Sequence, residues 1–396
     1  MMNQERLWNN EYLKAWSANF MLFFSFMLVV PLLPIYLHER FDATSEIAGV
    51  VLSGYTWLAM LSRAGSGYMV DNLPRKQVLV VSWFLLFAFF AGYVLAGNLF
   101  LFACVRTLHG APFGLTSVAN STVAIDVLPN SRRAEGIGYY GLSNNLATAI
   151  APTIGLLLYE RFGDFDLLFG LSMFVAFMGF VIDATIHLPE NVKSPVKQQV
   201  GGSLISKLFL TDAWSLAICQ ACFGMSYSVV ATYLAIYCVQ NPETTGNTGL
   251  FFAVLSVGLI VSRLTGGRQL RRGRIRQNCT EGICISAFGF LLFAAVHHPA
   301  AYYASAAIVG FGNGHMFPAM QMMFVNLAGD RRRGVANSTQ LAAWDAGAGL
   351  GVLLGGVLAG WWGYLSAFWL AAAVQCLGVM GFLMIPDRKT SGTTKE

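Results

Sequence analysis

Apolar residues along this chain come in runs of about twenty, divided by short breaks rich in Arg, Lys, Asn, Asp and Gly. Neither the period-two alternation of a half-buried strand nor the two-faced pattern of a surface helix describes them. About twenty apolar residues wound as a helix reach across roughly 30 Å of hydrocarbon, and in lipid the helix satisfies every backbone polar group internally. The runs predict twelve spans: 15–37, 46–70, 77–97, 99–126, 135–159 and 166–188, then 212–238, 247–267, 278–296, 300–327, 335–360 and 364–385. The first is too long for a signal-peptide core and no small-residue cleavage site follows it. A polar stretch with Pro189, Pro195, Gly201 and Gly202 falls near the middle of the chain. The expectation is an all-α membrane protein: twelve transmembrane helices in two pseudo-symmetric six-helix bundles, residues 1–188 and 211–396, joined by a linker over 189–210.

Composition agrees. Charged residues are 11% of the 396, less than half the share in a soluble domain, too few to coat a water-soluble globule. With the N-terminus placed inside, twenty of the 25 Lys and Arg fall in inside segments, Arg40 and Arg161 fall outside, and Arg63, Arg106 and Arg263 lie within spans. That split follows the positive-inside rule and places both termini in the cytoplasm. The net charge of +5 is thus a matter of topology. The basic loop 268–276 has no interleaved aromatics, so anionic lipid is its expected partner and nucleic acid is not. Seven cysteines all lie in apolar stretches, and Cys219 and Cys222, one helical turn apart, read as small hydrophobes. No phosphate loop, HExxH or GxSxG is present, so neither ATP-driven transport, zinc chemistry nor an enzyme is expected, and no cofactor or metal.

The halves align at an offset of 200. Ser62-Arg63-x-x-x-Gly67 returns as Ser262-Arg263-x-x-x-Gly267, Gly49 as Gly249, Arg132-Arg133 as Arg332-Arg333, and Gly155 as Gly355. Duplicated halves with a midplane site between them are a transporter architecture.

Several motifs carry a closer resemblance. After the second span the chain reads Gly67-Tyr-Met-Val-Asp71-Asn72-Leu73-Pro74-Arg75-Lys76; span four carries Arg106-Thr-Leu-His109-Gly110-Ala-Pro112-Phe-Gly114; span five carries Ala151-Pro152-Thr-Ile-Gly155; and span one ends Pro31-Leu-Leu-Pro34-Ile-Tyr36. These resemble the loop, span-four and antiporter motifs of the major facilitator superfamily, in its twelve-span drug:proton antiporter branch. Asn72, Pro74 and Ala151 depart from the family pattern, and Arg271 replaces the acid in the second copy of the loop. The resemblance implies that Gly67, Asp71, Arg75 and Asp126 form a latch that holds one alternating state, and that Ala151, Pro152 and Gly155 mark export by exchange.

Ionisable groups inside spans are costly and mark function by default. Asp345 lies about ten residues into span eleven, near the midplane. Removing a carboxylate from water favours its neutral form, so Asp345 is the candidate proton carrier, with Arg106 as the cation that tunes it. The expected substrate contacts are His109, Tyr139, Asn144, Asn145, Gln220, Tyr227, Tyr233, His315, Gln340 and Trp344, a mixed amide and aromatic set suited to amphipathic organic molecules. The reading is a monomeric, proton-coupled exporter of small organic molecules in a bacterial cytoplasmic membrane. The alternatives are an importer or uncoupled facilitator of a metabolite, and a receptor or scaffold on a carrier fold.

Overall fold

The computed structural model describes residues 7–129, 133–188, 208–271, 274–328 and 333–386. Its described secondary structure is helical. Span 1 runs Asn10–Met27, breaks at a 3-10 turn over Val30–Leu32, and resumes as Leu33–Phe41. Pro31 and Pro34 cause the break, because neither offers an N–H to the helix. Spans 2 to 6 are Ser45–Asn72, Arg75–Leu95, Leu99–Asp126, Arg133–Phe162 and Phe165–Ala184. Spans 7 to 12 are Trp214–Gln240, Thr248–Arg271, Ile275–Ala295, Pro299–Ala328, Arg333–Trp362 and Tyr364–Met384. Ten of these rods are long and apolar enough to cross a membrane by length and composition. The other two, spans 8 and 10, are of comparable length and complete the twelve. Span 1 reaches four residues past its expected end, and the others match within a few residues.

Since the span count is even, both ends of the described chain lie on one side, here termed the terminal side. On the far side the two halves pack closely. Span 2 crosses span 11 where Gly49 meets Gly356: a Cβ on Gly49 would sit 3.0 Å from Gly356 Cα and from the Val352 carbonyl. Below this crossing Trp57 lies against Gly349, and at its rim Ser45 Oγ hydrogen-bonds Tyr364 Oη at 2.9 Å. Spans 5 and 8 make a second crossing, where Thr153 Oγ1 donates to the Gly249 carbonyl at 2.9 Å and Asn247 Nδ2 donates to Glu160. Toward the terminal side the same stripe of span 5 carries Ile150, Leu146 and Leu142, each 37–39% exposed. The halves therefore part in that direction.

The duplicated sequence is visible as duplicated packing. Gly110 admits the Tyr55 carbonyl, and Gly310 admits that of Leu255; Gly114 faces Ser62 Oγ, and Gly314 faces Ser262 Oγ. Span 4 thus crosses span 2 as span 10 crosses span 8, at the same offset of 200.

A branched side chain at Gly49 has no room at the span 2–span 11 crossing. Gly49→Leu is expected to separate the halves on the far side. In a cysteine-free background, the labelling rate of a cysteine at Ser45 by a membrane-impermeant maleimide should rise several-fold. An unchanged rate would show that this crossing does not close the far side.

Candidate functional site

The innermost of these contacts between spans 2 and 11 is an ion pair between the halves. Arg63 Nη1 donates to Asp345 Oδ2 at 2.5 Å. Helical rise puts Asp345 about 18 Å from the start of span 11 and about 26 Å from its end. Arg63 is 4% exposed and Asp345 9%. The cation against Asp345 is therefore Arg63, one of the repeated pair Arg63 and Arg263, and Arg106, the expected partner, lies elsewhere. A deep lone acid demands a counter-charge, and the three intramembrane arginines were the signal. The Arg263 side chain is outside the described residues.

Arg63 also lies over the Phe113 ring, 5.6 Å from its centroid. Phe113 packs against Phe26 and Tyr55, with centroids 4.8 and 5.6 Å apart, and Phe26 stacks on Tyr55 at 4.9 Å. On the other flank of this trio is Arg106, whose guanidinium carbon sits 4.0 Å from the Tyr55 centroid and 5.5 Å from that of Phe26. Two guanidinium groups thus bracket three aromatic rings, a cation–π arrangement that favours the desolvated cations. The aromatic members were not among the expected site residues; their spacing alone reads as packing.

Arg106 Nη1 donates to Tyr93 Oη at 2.9 Å, and Tyr93 Oη bonds His109 Nδ1 at 2.7 Å. His109 is enclosed by Phe89, Phe90, Tyr55 and Tyr93. It sits inside the N-terminal half, not on the surface between the halves. Among the described residues no carboxylate pairs with Arg106.

In the C-terminal half, Trp344 lies between the rings of Tyr227 and Phe317, at 5.8 and 5.6 Å. Gly224 admits the Trp344 backbone carbonyl. One turn earlier on these parallel helices are Gln220 and Gln340, both 0% exposed, whose four amide atoms have no hydrogen-bond partner. Buried amides without partners cost free energy, so these two are the polar atoms of this half most in need of a ligand. His315 bonds the Phe311 carbonyl. Tyr233 is committed to packing: its hydroxyl donates to the Val352 carbonyl and its ring covers Gly355.

The remaining candidates scatter. Asn144 accepts from Thr148 Oγ1, Asn145 is half-buried, and Tyr139 is exposed on the terminal side beside Trp8. Arg75 Nη1 donates to Asp126 Oδ2 at 2.6 Å, within the N-terminal half; the side chains of Gly67 and Asp71 are outside the described residues. Ala151 is buried, Pro152 sits inside span 5, and Gly155 admits the Leu28 carbonyl at the break in span 1.

Twelve helices in two duplicated halves, with a charged pair between them, have the architecture of a membrane transporter. The chain belongs to the Major Facilitator Superfamily, whose model matches residues 15–280 and 281–396. It is similar to the MFS-type transporter YhhS of Escherichia coli K12, 23% identical over 90% of this chain and 87% of that one. It is also similar to the MFS-type transporter YqjV of Bacillus subtilis, 25% identical over 59% of this chain and 57% of that one. Among solved structures, a mutant of the peptide transporter POT in complex with sulfate superposes with a TM-score of 0.74 at 16% identity, covering 96% of this chain and 94% of that one. The human organic anion transporter MFSD10 (TETRAN) superposes with a TM-score of 0.70 at 14% identity, covering 94% and 99%. At such identity these two share the fold.

Breaking a buried ion pair from one side leaves an uncompensated charge, at about 3–5 kcal/mol. Arg63→Gln alone is expected to lower the thermal unfolding midpoint in detergent markedly, while Arg63→Gln combined with Asp345→Asn recovers most of the loss. A double variant as unstable as the summed singles would contradict the pairing.

Proposed function

We propose that this transporter is proton-coupled, carries small organic molecules by alternating access, and uses the Arg63–Asp345 pair as its coupling device. One observation carries the reading: a buried ion pair joins the two halves between span 2 and span 11. With the termini in the cytoplasm, as the distribution of basic residues predicts, the described conformation is closed outward and parted inward. A proton on Asp345 removes the attraction to Arg63 and frees span 2 from span 11 at that level. Moving a two-state equilibrium from 1:99 to 99:1 takes about 5.5 kcal/mol, and a buried charge losing its partner is worth about 3–5 kcal/mol. One protonation therefore supplies most of a conformational switch. The Arg75–Asp126 bond, beside the family loop motif, stabilises the terminal end of the N-terminal half.

Export in exchange for protons is the direction favoured by Ala151-Pro152-x-x-Gly155, which the fold puts where span 5 meets the break in span 1 and the seam with span 8. Inward cotransport is the second reading, and the charge of the site favours it: two buried guanidiniums, one on each flank of the aromatic trio, are accompanied by the single carboxylate paired with Arg63. The structural relatives named for organic anions and for peptides carry small organic molecules of the class proposed here.

Purified protein in proteoliposomes loaded with a pH dye tests the coupling. A panel of lipophilic cations, amino acids and organic anions is added under an imposed proton gradient. The wild type should move protons when a transported compound is added. Asp345→Asn should lose that proton movement while exchanging labelled compound across the membrane. Undiminished, pH-dependent transport by Asp345→Asn would remove Asp345 from coupling.

A further inference from the structure

The aromatic trio and its two cations hold a surplus of hydrogen-bond donors. Three buried polar atoms there have no partner: Arg63 Nε, Arg106 Nε and Tyr55 Oη. The two arginine atoms are N–H donors under all conditions. Arg106 occupies the Tyr93 oxygen as donor, so the Tyr93 hydroxyl hydrogen is left to point at His109 Nδ1, the other end of their 2.7 Å bond. That arrangement leaves Nε2 of His109 to the Leu86 backbone, so His109 is committed to the interior of the N-terminal half. Tyr55 Oη can donate as well. Every unpartnered atom of the cluster is thus a donor or able to act as one, and no unpartnered carbonyl or carboxylate in the cluster answers them. The charge count agrees. Arg63 and Arg106 bring two positive charges and Asp345 one negative, so the cluster is one negative charge short of neutral. The surfaces between the cations are the rings of Phe26 and Phe113, and Phe26 is half-buried where span 1 borders the seam.

We propose that the substrate is an organic anion with a planar apolar body, its carboxylate held by Arg106 and Tyr55 and its rings laid against Phe26 and Phe113. Bidentate guanidinium–carboxylate bonding is strong and geometrically selective, and the aromatic faces hold a flat apolar group beside it. The assignment rests on the carrier reading above and, within it, selects inward cotransport. An anion at Arg106 leaves the cluster neutral while Asp345 is ionised, and a proton on Asp345 restores a positive charge that tightens the anion. Proton and substrate thus reinforce each other's binding, as cotransport requires; a cation would compete with the proton, as exchange requires. Among the described residues, the titratable groups on the spans packed against span 11 are Glu46, Tyr55 and Arg63 on span 2; Cys219, Cys222, Tyr227, Tyr233, Tyr237 and Cys238 on span 7; Tyr302, Tyr303 and His315 on span 10; and Tyr364 and Cys376 on span 12. Of these, Arg63 bonds Asp345 directly.

Calorimetric titration of the whole protein in detergent tests this with benzoate, indole-3-acetate and 2-naphthoate, their neutral amides, and the matching aryl-methylammonium ions. The carboxylates should bind about tenfold or more tightly than the amides, and the ammonium ions weakest. Arg106→Gln should erase the carboxylate preference, Arg106→Lys should keep part of it, and Tyr55→Phe, which removes one hydroxyl, should weaken the carboxylates several-fold and leave the amides unchanged. Asp345→Asn should bind carboxylates more tightly than the wild type. Amides as tight as carboxylates, ammonium ions tightest, or no carboxylate binding into the millimolar range would each overturn the assignment. The outcomes separate it from the coupling reading: a carboxylate preference with pH-independent transport defeats only the coupling, and proton-coupled transport of a cation defeats only the anion.

Discussion

A charge placed in hydrocarbon must be answered by another, and in this protein the answer comes from the opposite half. Arg63 and Asp345 are each among the most expensive residues a membrane helix can carry. Either alone would forfeit several kcal/mol. Together they are tolerable only while span 2 lies within hydrogen-bond reach of span 11. The pair therefore does more than add attraction: as long as both groups are charged, it makes separation of the halves at that level unfavourable. Any event that cancels one of the charges relaxes the constraint, which is the physical basis of the coupling proposed above.

That reach depends on backbone geometry set elsewhere. Two helices bearing ordinary side chains stand 8–10 Å apart, and an arginine and an aspartate across such a gap meet only at the right register. Gly49, Gly349 and Gly356 bring the rods together above the pair, and Trp57 fills the space that Gly349 leaves. Small residues at helix crossings are the usual means of close packing where lipid offers no hydrophobic drive between helices. The glycines fix the spacing, and the ion pair at the bottom of the crossing makes the closure dependent on charge.

Much of this architecture was readable along the chain. Hydropathy yields the twelve spans and their ends within a few residues, because length against bilayer thickness leaves little freedom. The depth of Asp345 in span eleven singles it out before any fold is known. Its partner was not readable in the same way. Arg63 recurs at Arg263, and a repeated residue looks like scaffolding; that it faces the other half depends on which stripe of span 2 the glycines turn toward span 11. His109 looked like a cavity residue by its place in span four, yet the aromatic rings of spans 2 and 3 close around it. Tyr233 looked like a contact for substrate, yet the small residues of span 11 draw it into packing. In each case the position along the span was legible from the sequence, while the direction of the side chain was decided by neighbours on other helices, from 16 to 282 positions away.

The duplication sharpens this distinction between scaffold and chemistry. At an offset of 200 the residues that set helix crossings are kept: Gly110 with Gly310, Gly114 with Gly314, Ser62 with Ser262. Apart from Arg63, which recurs as Arg263, the residues that bear charge and rings at the seam are not. Arg106 corresponds to Ala306, Tyr55 to Leu255, Phe113 to Asn313, and Asp345 to Asn145. Two equal bundles can rock about a shared axis because their packing is equal. A site between them has a direction and a charge because its lining is unequal: guanidiniums and rings from one half, a carboxylate and unpartnered amides from the other. A proton or an organic ion added at the seam meets different chemistry on its two sides, which lets one small ligand change how the halves fit together.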